Sequence, residues 1–362
     1  MQSHLRKRSP LVAVLVVLAA LAAASVAGAG VAGPNSFVVR NLVSNGPTVA
    51  ASATDAALVN GWGLTAGPTT PWWVSNNGSN SSTLYSGTGV KAALAVTVPG
   101  GPTGTVFNGN ANAFAVSQDG KTAAARFLFA TEAGTILGWS PTVAATTAIP
   151  GANLSASRAV FKGLTILNDR LYATDFHNGR VDVFDSSFNL VTPAGAFRDA
   201  RIPKGWGPFG IQALGGKIFV TYAQQDKARH DDVPGGGRGY VDEYSPDGAL
   251  LVRVAKRGLP RAPLNAPWGL ATAPAGFGNY GGALLVGNFG NGRISAYVPQ
   301  PDGHFAYKGQ LRNPDGTIVA IDGLWGIAFG NGSAAGPTSS LYFAAGPRGE
   351  SAGAFGVIAA GG

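Results

Sequence analysis

The chain has no cysteine among its 362 residues. That excludes disulfide staples, a thiol nucleophile, thiolate zinc centres and a lipid-modified N-terminal cysteine, so the fold must hold by packing alone. Histidine is nearly as scarce: of four, only His177, His230 and His304 lie beyond the leading segment, too few for a closed zinc site of the usual Cys/His kind. Charged residues make up only 12% of the chain. A Gly-x-Ser-x-Gly nucleophile elbow is missing, as is a phosphate-cradling glycine loop ending in lysine. Beyond residue 27 no stretch keeps a 3.6-residue apolar period long enough for a helix, which removes the helical fold classes.

Glycine is abundant instead, with 54 residues beside 23 prolines, the composition of an all-β protein with many tight turns. Residues 1–27 read as an export signal. Arg6, Lys7 and Arg8 form its positive start, residues 11–26 are almost wholly Ala, Leu and Val, and Ser25-Val26-Ala27 supplies small residues for cleavage after Ala27 or Ala29. An uncleaved anchor is the alternative, although the 16-residue apolar run is short of the roughly 20 that span a bilayer. With the signal gone the formal charge is 23 − 18 = +5. The densest basic patch, Arg253, Lys256, Arg257 and Arg261, lacks the interleaved aromatics of a nucleic-acid groove, so nucleic acid is not an expected partner. A basic surface favours an anionic envelope or polysaccharide.

Residues 266–297 contain three short strand signals: Pro267-Trp268-Gly269-Leu270-Ala271-Thr272, then Ala283-Leu284-Leu285-Val286-Gly287-Asn288-Phe289, then Gly292-Arg293-Ile294-Ser295-Ala296-Tyr297. Five further copies follow the same plan. The aligned small residues Gly63, Ala115, Gly163, Gly210, Gly269 and Gly326 are 52, 48, 47, 59 and 57 positions apart, near the roughly 40 to 50 of a propeller blade with insertions. The spacing predicts a single six-bladed β-propeller over 28–362, each blade four-stranded with a small residue on the crowded innermost strand. The sixth copy runs out of chain before its outermost strand. Residues 37–43, a strand without a local hairpin, are expected to supply it and close the ring.

The pattern Pro267 to Ala271, Val286 to Asn288 and Asn291-Gly292-Arg293-Ile294 resembles NHL-type repeats. The phrases Leu58 to Leu64, Val220 to Gln225, Leu264 to Leu270 and Ile321 to Trp325 resemble, more closely, a family of uncharacterised secreted bacterial propellers, some with a C-terminal sorting tail. The family implies fold and export but no catalytic residues. Residues 356–362 carry no apolar anchor or Arg cluster, so release from the cell, as a monomer free of the membrane, is expected.

Polar residues recur where first strands start (Asn60, Asn112, Asn265, Asp322) and second strands end (Asn76, Glu132, Asp175, Tyr222, Asn288). Together these ends form one mouth of the channel, where a ring of oxygens suits Ca²⁺, which takes six to eight. Turn hydrogen bonds are the plainer role for each such residue. Asn60-Gly61 and Asp322-Gly323 resemble phrases of the gluconolactonase and senescence-marker propellers, which hold a divalent metal. That resemblance implies the ligand set Asn60, Glu132, Asn265 and Asp322, with Glu132 departing from the pattern at a second-strand end. Asp175 is then the candidate general base. Trp62, Trp268 and Trp325 recur at one repeat position and are expected to pack between blades. Trp206 is expected to be exposed, and His230-Asp231-Asp232 to lie in an exposed, glycine-rich insertion. The leading expectation is a non-enzymatic extracellular binder or scaffold for a polysaccharide or protein; the alternative is a Ca²⁺-dependent lactonase- or esterase-like hydrolase.

Overall fold

The computed structural model describes residues 36–256 and 263–361. The export signal at 1–27, and Arg257 and Arg261 of the basic patch, lie outside the described residues. Six small antiparallel sheets follow one another along the chain, and among the described residues the only helical pieces are three single 3₁₀ turns. No helix of the described residues is long and apolar enough to cross a membrane. Blade one, for example, runs Gly61–Thr65, Trp72–Asn76, Ser81–Tyr85 and Lys91–Thr97, each strand paired to the next. The fold is a six-bladed β-propeller.

Closure follows the sequence expectation. Phe37–Ser44 pairs antiparallel with Ala354–Ala360, from Phe37 against Ala360 to Ser44 against Ala354 with a register shift between Asn41 and Val43, and so forms the fourth strand of blade six, whose inner strands are Leu324–Phe329 and Leu341–Ala345. A strand edge that would otherwise template aggregation is thereby covered. The short Ala53–Thr54 adds to it in parallel.

Glycine sets how closely the blades approach. A Cβ on Gly63 would strike the backbone of Thr103 and Gly104, and one on Gly104 the backbone of Gly163 and Leu164. Gly163 faces Phe209 at 3.0 Å, Gly210 abuts Trp268, Gly269 would stand 2.6 Å from the Trp325 carbonyl, and Gly326 2.8 Å from that of Trp62. The chain of contacts visits six inner strands and returns to the first, which is the ring closure seen from the axis.

Two sequence readings are corrected here. The inner strand of blade two is Pro102–Phe107, with Gly104 in the axial position, and not 112–116. Residues Ala115–Gln118 pair with Lys121–Ala124 as a separate hairpin, and Asn112 sits exposed in the loop before it. Only glycine tolerates the approach of Leu164 at that depth, so Ala115 could not have served. Blade three has three strands, Phe161–Leu167, Arg170–Asp175 and Arg180–Phe184, with a single bridge from Phe184 to Leu190 where a fourth was expected.

Candidate functional site

The residue before each axial glycine points the chemistry of the channel. These are Trp62, Thr103, Lys162, Phe209, Trp268 and Trp325. Trp62 and Trp325 stack with ring centres 3.6 Å apart, Phe289 stacks on Trp325 at 3.9 Å, and Trp268 and Phe209 meet Trp325 edge-on at 5.9 and 5.7 Å. The tryptophans expected to pack between blades therefore form an aromatic plug across one mouth, with Trp268 and Phe289 half-buried at its surface. Each such ring pair adds about 0.5–1.5 kcal/mol beyond the area it buries.

Lys162 is the one charged residue in this layer. Its side chain is 2% exposed, and its ammonium lies 5.2 Å over the Trp62 ring. It pairs with Glu132 and, at 3.2 Å, with Asp231 of the 225–239 insertion. Burial works to discharge this amine, but Glu132 and Asp231 more than offset it and raise its pKa above the ordinary lysine value. The network extends outward: Glu132 accepts from the Asn77 amide at 2.8 Å, Asn77 accepts from Asn60 at 3.2 Å, and Asn60 also donates to Glu350 at 2.9 Å. Burial raises the Glu350 carboxyl against the pull of Lys162.

The insertion is built in, not free. Asp231 reaches Lys162 of blade three, while Gly235 donates to Asn265 of blade five at 2.6 Å, so the loop crosses part of the mouth. His230 bonds Asp231 at 2.9 Å. Asp232 is half-buried, and its Oδ2 is wholly buried without a hydrogen-bond partner among the described residues. Burial pushes its pKa up to about 7, with Lys162 opposing and Glu350 and Asp231 adding to the rise. The expectation of an exposed His230-Asp231-Asp232 segment is corrected: only Asp231 is exposed as a residue, and its carboxylate is held by the buried lysine. Trp206 is half-buried, edge-on to Tyr240 at 4.9 Å.

The proposed calcium set does not converge. The Asn60 Oδ1 accepts from the Trp325 indole at 2.9 Å, the Asn265 Oδ1 accepts from the Gly235 amide, and Asp322 is exposed and accepts from the Arg348 amide at 2.8 Å. Only Asn60 and Glu132 share a network, through Asn77, and there the cation facing Glu132 is an ammonium. These residues therefore do not fit a Ca²⁺ cage. Asp175 is fully buried. Its oxygens accept from the amides of Val160 and Asn178 and the Asn178 side chain, with Arg180 at 3.6 Å, leaving no oxygen for a general base to use. A different trio, Glu132, His230 and Asp231, brings ligand atoms within 4.8 Å of one another.

A ring of six sheets with a plugged, carboxylate-lined mouth defines the class: a closed propeller with one chemically equipped face. The chain is 33% identical over 306 residues to the uncharacterised protein R648 of Acanthamoeba polyphaga mimivirus, covering 81% of this chain and 74% of that one. It is 32% identical over 307 residues to the uncharacterised protein L690 of the same virus, covering 81% and 79%. It belongs to the family of these proteins. The relatives are viral, where the phrases of the sequence pointed to bacterial ones. No family model matches the chain. Among solved structures, a streptogramin B lyase superposes with a TM-score of 0.53 at 14% identity, over 89% of this chain and 96% of the other, a likeness of fold alone.

Proposed function

We propose that the chain is an exported binding propeller that takes a saccharide at the Lys162 mouth. The observation that carries this reading is the half-exposed pair Trp268 and Phe289 on the surface of a plug rimmed by Glu132, Asp231 and Glu350. An aromatic face receives the C–H side of a sugar ring, and ionised carboxylates accept from its hydroxyls in charge-assisted hydrogen bonds. Ligand sites generally combine such an apolar floor with a few fixed polar groups. The leader at 1–27 supports export. Glycan-array screening followed by calorimetry tests the reading, with Phe289→Ala and Asp231→Asn each weakening a bound glycan about tenfold or more while the fold persists. Absence of glycan binding, or binding indifferent to both changes, refutes it.

The second reading, a metal-dependent hydrolase of esters or lactones, is supported by the Glu132, His230 and Asp231 trio, whose imidazole and carboxylates suit Zn²⁺ or Mn²⁺ better than Ca²⁺. Against it stands the ammonium already seated between two of those groups. Metal-dependent turnover on an ester and lactone panel would favour it over the binder.

A further inference from the structure

We propose that the opposite mouth of the channel is a second, independent site, which takes small uncharged ligands carrying an amide-type edge on an apolar ring. The far ends of the inner strands surround a funnel of about 280 Å³, with walls that include Leu64, Val106, Leu270, Ile327 and Phe329. It is blind. Beneath it a void of only about 20 Å³ lies among the axial glycines, and Trp268 of the plug lines that void.

Among the described residues no Asp, Glu, Lys, Arg or His contributes to the wall of the funnel. A charged ligand would leave water there without a counter-charge to offset its lost hydration. Two of the polar side chains on its wall are engaged. Asn331 donates to the Gly67 and Thr70 carbonyls and accepts from the Ser333 and Ala335 amides, and Thr105 donates to the Leu128 carbonyl. Gln212 differs. It lines both the funnel and the deeper void, is half-buried, and its amide has no hydrogen-bond partner among the described residues. A primary amide offers donors and an acceptor on one edge, so it pairs best with a group offering the same. The volume is at the small end of ligand sites, about 300–1,000 Å³, which suits one ring and one polar edge.

The test is an NMR titration of the intact protein with benzamide, benzoate and benzamidinium at pH 7, read at the methyl groups of Leu64, Leu270 and Ile327. Benzamide is expected to shift these methyls, with both charged isosteres at least about tenfold weaker at this site. Gln212→Leu should weaken benzamide by about five- to tenfold, the value of one to two lost neutral hydrogen bonds. Gln212→Glu, close in shape, should reverse the preference in favour of benzamidinium, so the site remains testable even if the leucine variant folds poorly. Equal binding of all three probes, no shift at these methyls, or an unchanged order in Gln212→Glu overturns the proposal. Phe289→Ala at the other mouth should leave every one of these readings unaltered, which separates this site from the saccharide reading.

Discussion

Lys162→Met keeps the length of the side chain and its packing on Trp62 but removes the charge between Glu132 and Asp231. Deleting one member of a buried ion pair costs about 3–5 kcal/mol, because the other is left without compensation. The lower end applies, since Glu132 is 20% and Asp231 66% exposed and both regain some water. A loss of about 3 kcal/mol, set against an unfolding entropy of about 2.1 cal/mol/K per residue, lowers the melting temperature of a chain this long by roughly 4 °C. The pH dependence carries the sharper test. Burial opposes ionisation of Asp231, but Lys162 and His230 hold its pKa below the ordinary 3.8. Its share of the stability is therefore present above that value and disappears as pH falls through the still lower folded pKa. The Lys162 pKa is raised above 10.5, so its share is complete below that value and disappears as pH rises through the folded one. The gap between wild type and Lys162→Met should be widest from about pH 6 to 9 and shrink towards pH 3. Urea denaturation across that range measures it. A gap below about 1 kcal/mol at pH 7, the value of an exposed pair, or one that does not change with acid, would show that the ammonium does not organise this mouth.

Two further outcomes follow from the same geometry. Gly210→Ala drives a methyl into the Trp268 carbonyl between blades four and five and should cost about 3 kcal/mol in urea denaturation, whereas Gly46→Ala, with nothing within 4 Å, should stay within about 0.5 kcal/mol of wild type. Burial raises the Asp232 pKa from 3.8 to about 7, so its charged form is a penalty on the fold, absent below pH 3.8 and complete above about 7; Asp232→Asn should stabilise the protein at pH 8, match wild type near pH 3.5, and flatten the decline in melting temperature between.

The architecture was legible because its cause is periodic. Each blade needs a small residue where backbones meet at the axis, and that need recurs in the chain at blade spacing. Blade two hid the rule. Its Gly104 stands in Gly101-Pro102-Thr103-Gly104-Thr105, which reads as a turn, while the apolar Ala113 to Val116 imitates a strand start. The site was less legible because its partners are brought together by the ring and not by the sequence. The sequence reading named Glu132 for the mouth, but nothing local marks Lys162 as its partner, 30 positions on, or Asp231, 69 beyond that. Polarity at strand ends could not distinguish an oxygen free for a metal from one already engaged. Asn60, Asn265 and Asp322 each spend an oxygen on an indole or a backbone amide supplied by another segment.

One position per blade decides what the channel is. Immediately before the axial glycine, three blades place tryptophan and one phenylalanine, whose rings meet in one cluster; a fifth places Thr103, whose hydroxyl donates to the Phe161 carbonyl of the next blade. The remaining position, in blade three, is lysine. An ammonium cannot remain beside that plug unless carboxylates come to it, because several kcal/mol of desolvation must be offset. Glu132 from the neighbouring blade and Asp231 from the insertion meet this demand, and the insertion is thereby drawn across the mouth. The acidic rim is thus a consequence of one cation in an aromatic layer, and the far mouth, where the described residues place no such cation, has no charged side chain among those residues on its wall.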